Sequence, residues 1–117
     1  MKYDFWANVK TGDSLYYYDT NNWKPGIFEV LKIKDKSDYS GSFILETTCN
    51  EHHYIYVHIA NYLRDGYVGT WNHSTCQQIF ISNNRYELIN HLKYDLQKKV
   101  NEFKNKAEYY QDLLNKL

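Results

Sequence analysis

The stretch "IFISNNRYELINHL", residues 79 to 92, changes its hydrophobic period partway, and that change divides the chain into two kinds of structure. Before it come short segments rich in β-branched and aromatic residues, cut by turns. From Ile89 onward apolar residues recur every three or four positions, the spacing of a helix with one greasy side. Asn84 is the predicted N-cap, with Glu87 at capping-box spacing and Ser82 as the alternative cap. No Gly or Pro follows Ser82, so the predicted helix runs from Arg85 to Leu117. At 1.5 Å per residue it is roughly 50 Å long, more than a small barrel is wide.

Upstream, the alternation predicts five strands. They are "DSLYYYD" at 13–19, "IFEVLKIK" at 27–34, "SFILETT" at 42–48, "YIYVHIA" at 54–60 and "YVGTW" at 67–71. Trp23-Lys24-Pro25-Gly26 reads as a type II turn with Gly26 at positive φ, and "LRDG" at 63–66 as a second turn. The fourth strand alternates cleanly, Ile55, Val57 and Ile59 against Tyr54, Tyr56 and His58, so one of its faces is buried. A sheet this small must close or be covered to hide its edges. The predicted class is therefore α+β, mainly β: a five-stranded SH3-like barrel over residues 1–82, then one long C-terminal helix over 83–117 in the same structural unit.

With 117 residues the chain has room for one core. Fourteen basic residues balance fourteen acidic ones, which argues against a polybasic nucleic-acid binder and against an acidic DNA mimic. Asp4 and Asn8 interrupt the apolar stretch that a secretory signal needs, and no run reaches membrane-span length. The expected location is the cytoplasm, where two cysteines are thiols rather than a disulfide framework. Thirteen tyrosines suggest a sticky aromatic surface, although AT-rich coding yields the same profile, with Lys outnumbering Arg twelve to two.

Along the helix, Leu96, Val100, Phe103, Ala107, Tyr110, Leu114 and Leu117 form heptads with Val100, Ala107 and Leu114 at position a. Ile89 and Leu92 are assigned to the barrel, and Leu96, Val100, Phe103, Tyr110 and Leu114 to an interface with a partner. A parallel homodimer would set Lys99 against Lys104 and Lys106 against Gln111, and antiparallel pairing avoids that clash only in some registers. Self-association, folding back on the barrel and docking on another protein all remain open. Asp95 with Lys99, Lys98 with Glu102, Lys104 with Glu108 and Asp112 with Lys116 read as solvated supporting pairs.

Candidate chemistry is sparse. "CNEHH" at 49–53 and "NHSTC" at 72–76 are rough mirror images, and a hairpin about residues 61–66 would set Cys49 near Cys76 and His52 near His73. Two Cys and two His make an ordinary structural zinc set, but neither half has a CxxC knuckle, so no metal or other cofactor is assigned. No nucleophile elbow, zinc-protease helix, phosphate loop or dinucleotide fingerprint occurs, and no enzyme activity is expected. The remaining candidates are binding residues: Tyr54, Tyr56 and His58 on the fourth strand, Tyr16 and Tyr18 on the first, and Trp23 and Tyr62 in neighbouring loops.

"VKTGDSLYYYD", the strand-turn-strand middle and "IFISNNRYELINHLKYDLQKKV" together resemble small phage and mobile-element proteins. Those proteins open with "GD" before the first strand, build an SH3-like or KOW-like barrel and end in an "IFIS" strand that runs into a charged helix. The resemblance implies that fold and a phage-like source. It implies no activity; the aromatic barrel face and the unclaimed helix seam, at zero net charge, give the expectation of a non-enzymatic accessory protein that binds, and inhibits, a host protein complex such as a defence system. The alternatives are a small-barrel RNA- or DNA-binding module, and a structural oligomer built on the helix as a homodimer. No membrane partner is expected.

Overall fold

The structure, a computed structural model, describes residues 2–34, 41–70 and 78–117. Its elements are α1 (Lys2–Asn8), β1 (Ser14–Asp19), β2 (Gly26–Lys34), β3 (Ser42–Thr47), β4 (Tyr54–His58), α2 (Ile59–Asp65), β5 (Tyr67–Thr70), β6 (Gln78–Ser82) and α3 (Arg85–Asn115). Each strand pairs antiparallel with the next, and β6 pairs with β1 through Tyr17 opposite Ile81, so the sheet closes into a barrel. The class is α+β, mainly β, with a long C-terminal helix. The barrel has six strands rather than five.

The sixth strand is the "IFIS" segment, and its burial explains why alternation does not reveal it. Ile79 and Ile81 face the barrel interior while Phe80 and Ser82 face outward, yet all four are buried. A strand covered on both faces loses the period-two signal. The cover is α3, whose Leu88 and Leu92 join Tyr18 and Phe80 in a second core outside the barrel wall. Inside the barrel, Leu15, Phe28, Val30, Leu45, Ile55, Val57, Ile79 and Ile81 make the main core.

Two short helices occupy stretches where the sequence predicts none, and both serve the barrel end. β4 ends at His58 rather than at Ala60; α2 starts at Ile59, whose amide is bonded to the Gly41 carbonyl at 2.7 Å. The helix stops at Gly66, whose φ of 82° and amide bond to the Tyr62 carbonyl form a left-handed C-terminal cap. Helix α1 delivers Trp6, 1% exposed, edge-on to Phe43 and Tyr62 at 5.7 and 5.4 Å. Seven-residue helices hold too few turns to show a period. Around α2 the β4–β5 register is the predicted one, with Ile55 opposite Thr70 and Tyr56 opposite Gly69.

The β1–β2 turn also differs. Positive φ falls on Trp23, at 58°, and not on Gly26. Gly26 already belongs to β2 and lies under the Tyr17 ring, where a Cβ would meet ring carbon at 2.6 Å. Its role is close approach rather than turn geometry.

The cap of α3 uses both residues that the sequence offers. Asn84 Oδ1 accepts the Glu87 amide at 3.0 Å, while Ser82 Oγ accepts the Asn84 amide and donates to the Glu87 carboxylate. The helix then runs 31 residues, about 46 Å at 1.5 Å per residue. The molecule measures 59 × 29 × 28 Å, so the far part of α3 projects beyond the barrel. Among the described residues, no helix is long and apolar enough to cross a membrane.

Candidate functional site

The residues singled out in the sequence do not share one surface. Tyr54, Tyr56 and His58 stand on the outer face of β4, alternating with the buried Ile55 and Val57. Tyr54 is exposed, its hydroxyl 3.3 Å from Glu46 and its ring 5.0 Å below the Lys34 ammonium. Ile44, opposite Tyr56 on β3, extends this face with an apolar side chain. In a ring of six strands β4 lies across the barrel from β1. The face therefore points away from α3.

Tyr16, Tyr18 and Trp23 belong instead to the seat of the helix. Tyr18 is fully buried, stacked between Trp23 and Phe80, and Tyr16 and Trp23 are half-buried against the same cluster. Outward residues of β1 are covered because α3 crosses that wall. Tyr62, predicted to sit in a loop, lies on α2 and is buried against Trp6. Burial raises its phenol pKa, and Glu87 adds to the effect. Neither Tyr18 nor Tyr62 reaches the surface.

The root of α3 is held by a polar cluster that no sequence pattern announces. Asp95, buried, accepts hydrogen bonds from the Tyr18 hydroxyl at 2.5 Å and from the Tyr67 hydroxyl. His91 Nδ1 lies 2.6 Å from the Tyr18 oxygen, and its ring stacks on Phe80 with centroids 3.7 Å apart. With its proton committed to Asp95, Tyr18 accepts from His91 Nδ1–H. Burial, followed by the bonds to Asp95 and Tyr67, pushes the Tyr18 pKa far above its ordinary range. Asp95 is thus no solvated partner of Lys99, which pairs with Glu102 at 3.3 Å.

A further polar cluster, holding His52, sits at the β1–β2 turn. Asp19, 3% exposed, accepts the Asn21 and Asn22 amides on Oδ1 at 2.9 and 2.6 Å and pairs through Oδ2 with His52 Nε2 at 2.8 Å. Burial alone would raise the Asp19 pKa, but the two amides and His52 outweigh it and hold the carboxyl below its ordinary value. One ligand atom each from Asp19, Glu51 and His52 lies within 4.8 Å of the others, a spacing compatible with a cation. Both Asp19 oxygens already have protein partners, and Lys24 lines the adjacent hollow of about 320 Å³. The group is accounted for as a clamp on the turn.

Of the mirrored Cys and His residues, Cys49 is a free thiol 3.1 Å from the Tyr17 hydroxyl, and His52 is occupied by Asp19. His73 and Cys76 lie outside the described residues.

Beyond this root, α3 leaves the barrel. Every residue from Leu96 to Leu117 is exposed, including the predicted interface residues Leu96, Val100, Phe103, Tyr110 and Leu114. Phe103 is 65% and Leu114 62% exposed, so these side chains find no cover on their own body. The projecting arm and the β4 face are separate surfaces. No family model, curated protein or solved structure matches the chain.

Proposed function

We propose that this chain is a non-enzymatic association protein, phage- or mobile-element-borne and cytoplasmic, that acts by docking on a host protein. The observation that carries this reading is that two separate apolar surfaces, the stripe of α3 and the outer face of β4, lie on opposite sides of the molecule, and the stripe would be a solubility liability unless something covers it. The β4 face, with Tyr54, Tyr56 and His58 beside Ile44, supplies a second contact surface of the aromatic kind enriched at interfaces. Inhibition of a defence or regulatory complex is the consequence proposed for such docking; the resemblance to SH3-like phage proteins bears on fold and source alone.

Capture of proteins from a host lysate tests the reading, with wild type compared against Tyr54→Ala/Tyr56→Ala and Phe103→Ser/Leu114→Ser. Retention of a host protein through nuclease and high salt, and its loss in at least one variant, is the expected result. Capture abolished by nuclease and falling steeply with salt would instead identify a small-barrel nucleic-acid binder.

A further inference from the structure

The stripe on α3 has a definite sequence of sizes and charges, and these restrict what can lie against it. Two helices meeting along a heptad seam bring the flanking e and g positions into contact as well. Here e is Gln97, Lys104 and Gln111, and g is Lys99, Lys106 and Leu113. In a parallel pair Lys99 meets Lys104 of the other chain. Reversing one helix sets e against e and g against g, so each antiparallel register has its own charge contacts.

With Phe103 opposite Ala107, both Lys104 and Lys106 meet their own copies across the axis. That register also carries Leu117 of the second chain to the level of Lys93, alongside the barrel where Leu92 and Asp95 are seated. Sliding by one heptad removes both problems. Val100 then faces Leu117, Phe103 faces Leu114, and Ala107 faces Tyr110, each small residue meeting a larger one. Lys104 falls beside Gln111, and Lys106 lays its methylene stem along Leu113. A further heptad of sliding leaves only residues 107–117 overlapped.

We propose that the stripe of α3 is the interface of an antiparallel homodimer in which Val100, Phe103 and Ala107 face Leu117, Leu114 and Tyr110 of the partner subunit. This rests on the association reading above and assigns the arm to a second copy, leaving the β4 face of each barrel for the host protein. The overlap spans residues 100–117, clear of the helix root. Removing two aromatic rings and four aliphatic side chains per chain from water buries about 1,000 Å² in total, the lower end for a specific interface. The dimer is therefore weak and concentration-dependent.

Disulfide trapping tests the register. Phe103→Cys and Leu114→Cys are made separately in full-length chains carrying Cys49→Ser and Cys76→Ser, and incubated in a glutathione redox buffer at on the order of 100 µM, a concentration suited to a small interface. The proposal expects covalent dimer when the two are mixed and little from either alone. Light scattering of the unmodified chain should show the mass rising from 14.1 kDa toward twice that value with concentration. Tyr110→Asp should hold it at 14.1 kDa with helical circular dichroism retained. Self-linking of Phe103→Cys alone, which a parallel pair gives, overturns the proposal. So does preferential linking of Phe103→Cys to Ala107→Cys, or a monomer at every concentration. A monomer that still captures a host protein would sink the dimer and leave the association reading standing.

Discussion

Asp95 fastens α3 to the barrel by accepting two phenolic hydrogen bonds in a nearly dry site. Asp95→Ala leaves the Tyr18 and Tyr67 hydroxyls without that acceptor, and should cost about 2–3 kcal/mol in urea unfolding. Gly26→Ala drives a methyl into the Tyr17 ring and should cost about 1–3 kcal/mol in the same measurement. The Asp19 carboxyl has a folded pKa below its ordinary 3.8, so its contribution is present above that value and lost as pH falls through the folded pKa. Asp19→Asn should therefore flatten the fall in stability below about pH 4. Only Asp19 is partly local, through the Asn21 and Asn22 amides; its His52 partner, and the partners of Gly26 and Asp95, lie further away in the chain. Asp95 has a lysine four residues on, the pattern of a solvated charge, and only the distant β1 and β5 tyrosines make it an anchor.

At the scale of elements, α3 has two halves with different physics. Through Asp95 it is seated on the barrel; beyond Leu96 it is exposed throughout. Truncation after Leu96 should lower the melting temperature by only a few degrees, whereas Leu88→Ala should cost about 2–5 kcal/mol because that side chain is fully buried. This helix was legible because its cap, its lack of Gly and Pro and its heptads all agree over thirty residues. The strands β1 to β5 were legible from turns and alternation, to within a few residues at their ends. The remaining elements are not marked by periodicity, and of them only the "IFIS" strand is expected, from the resemblance. The buried faces of β6 erase its alternation, and α1 and α2 are held in place by Trp6 packing on Tyr62, a contact between segments far apart in the chain.

For the whole molecule, a closed six-stranded barrel carries aromatic residues on opposite walls, one sealed by the helix and the other, on β4, with Tyr54 exposed and Tyr56 and His58 half-buried. The sequence gathers Tyr16, Tyr18, Trp23, Tyr54, Tyr56, His58 and Tyr62 into one aromatic set because periodicity states which residues alternate, not which wall a helix later covers. Tyr18 has a folded pKa above its ordinary 10.0, so its contribution is complete below pH 10.0 and declines as pH rises beyond it. Alkaline titration should show part of the tyrosinate absorbance appearing cooperatively with loss of the barrel's circular dichroism; a smooth, non-cooperative titration of all tyrosines would contradict this placement.

The closed barrel grips only the root of α3 and leaves its greasy far half exposed. Amide hydrogen exchange on the dilute protein tests this most directly. Slow exchange in the barrel strands and over residues 88–95, with exchange faster by orders of magnitude over residues 97–117, is the predicted pattern. Equal protection of residues 97–117 and 88–95 at high dilution would contradict it, because the arm would then be packed on its own body.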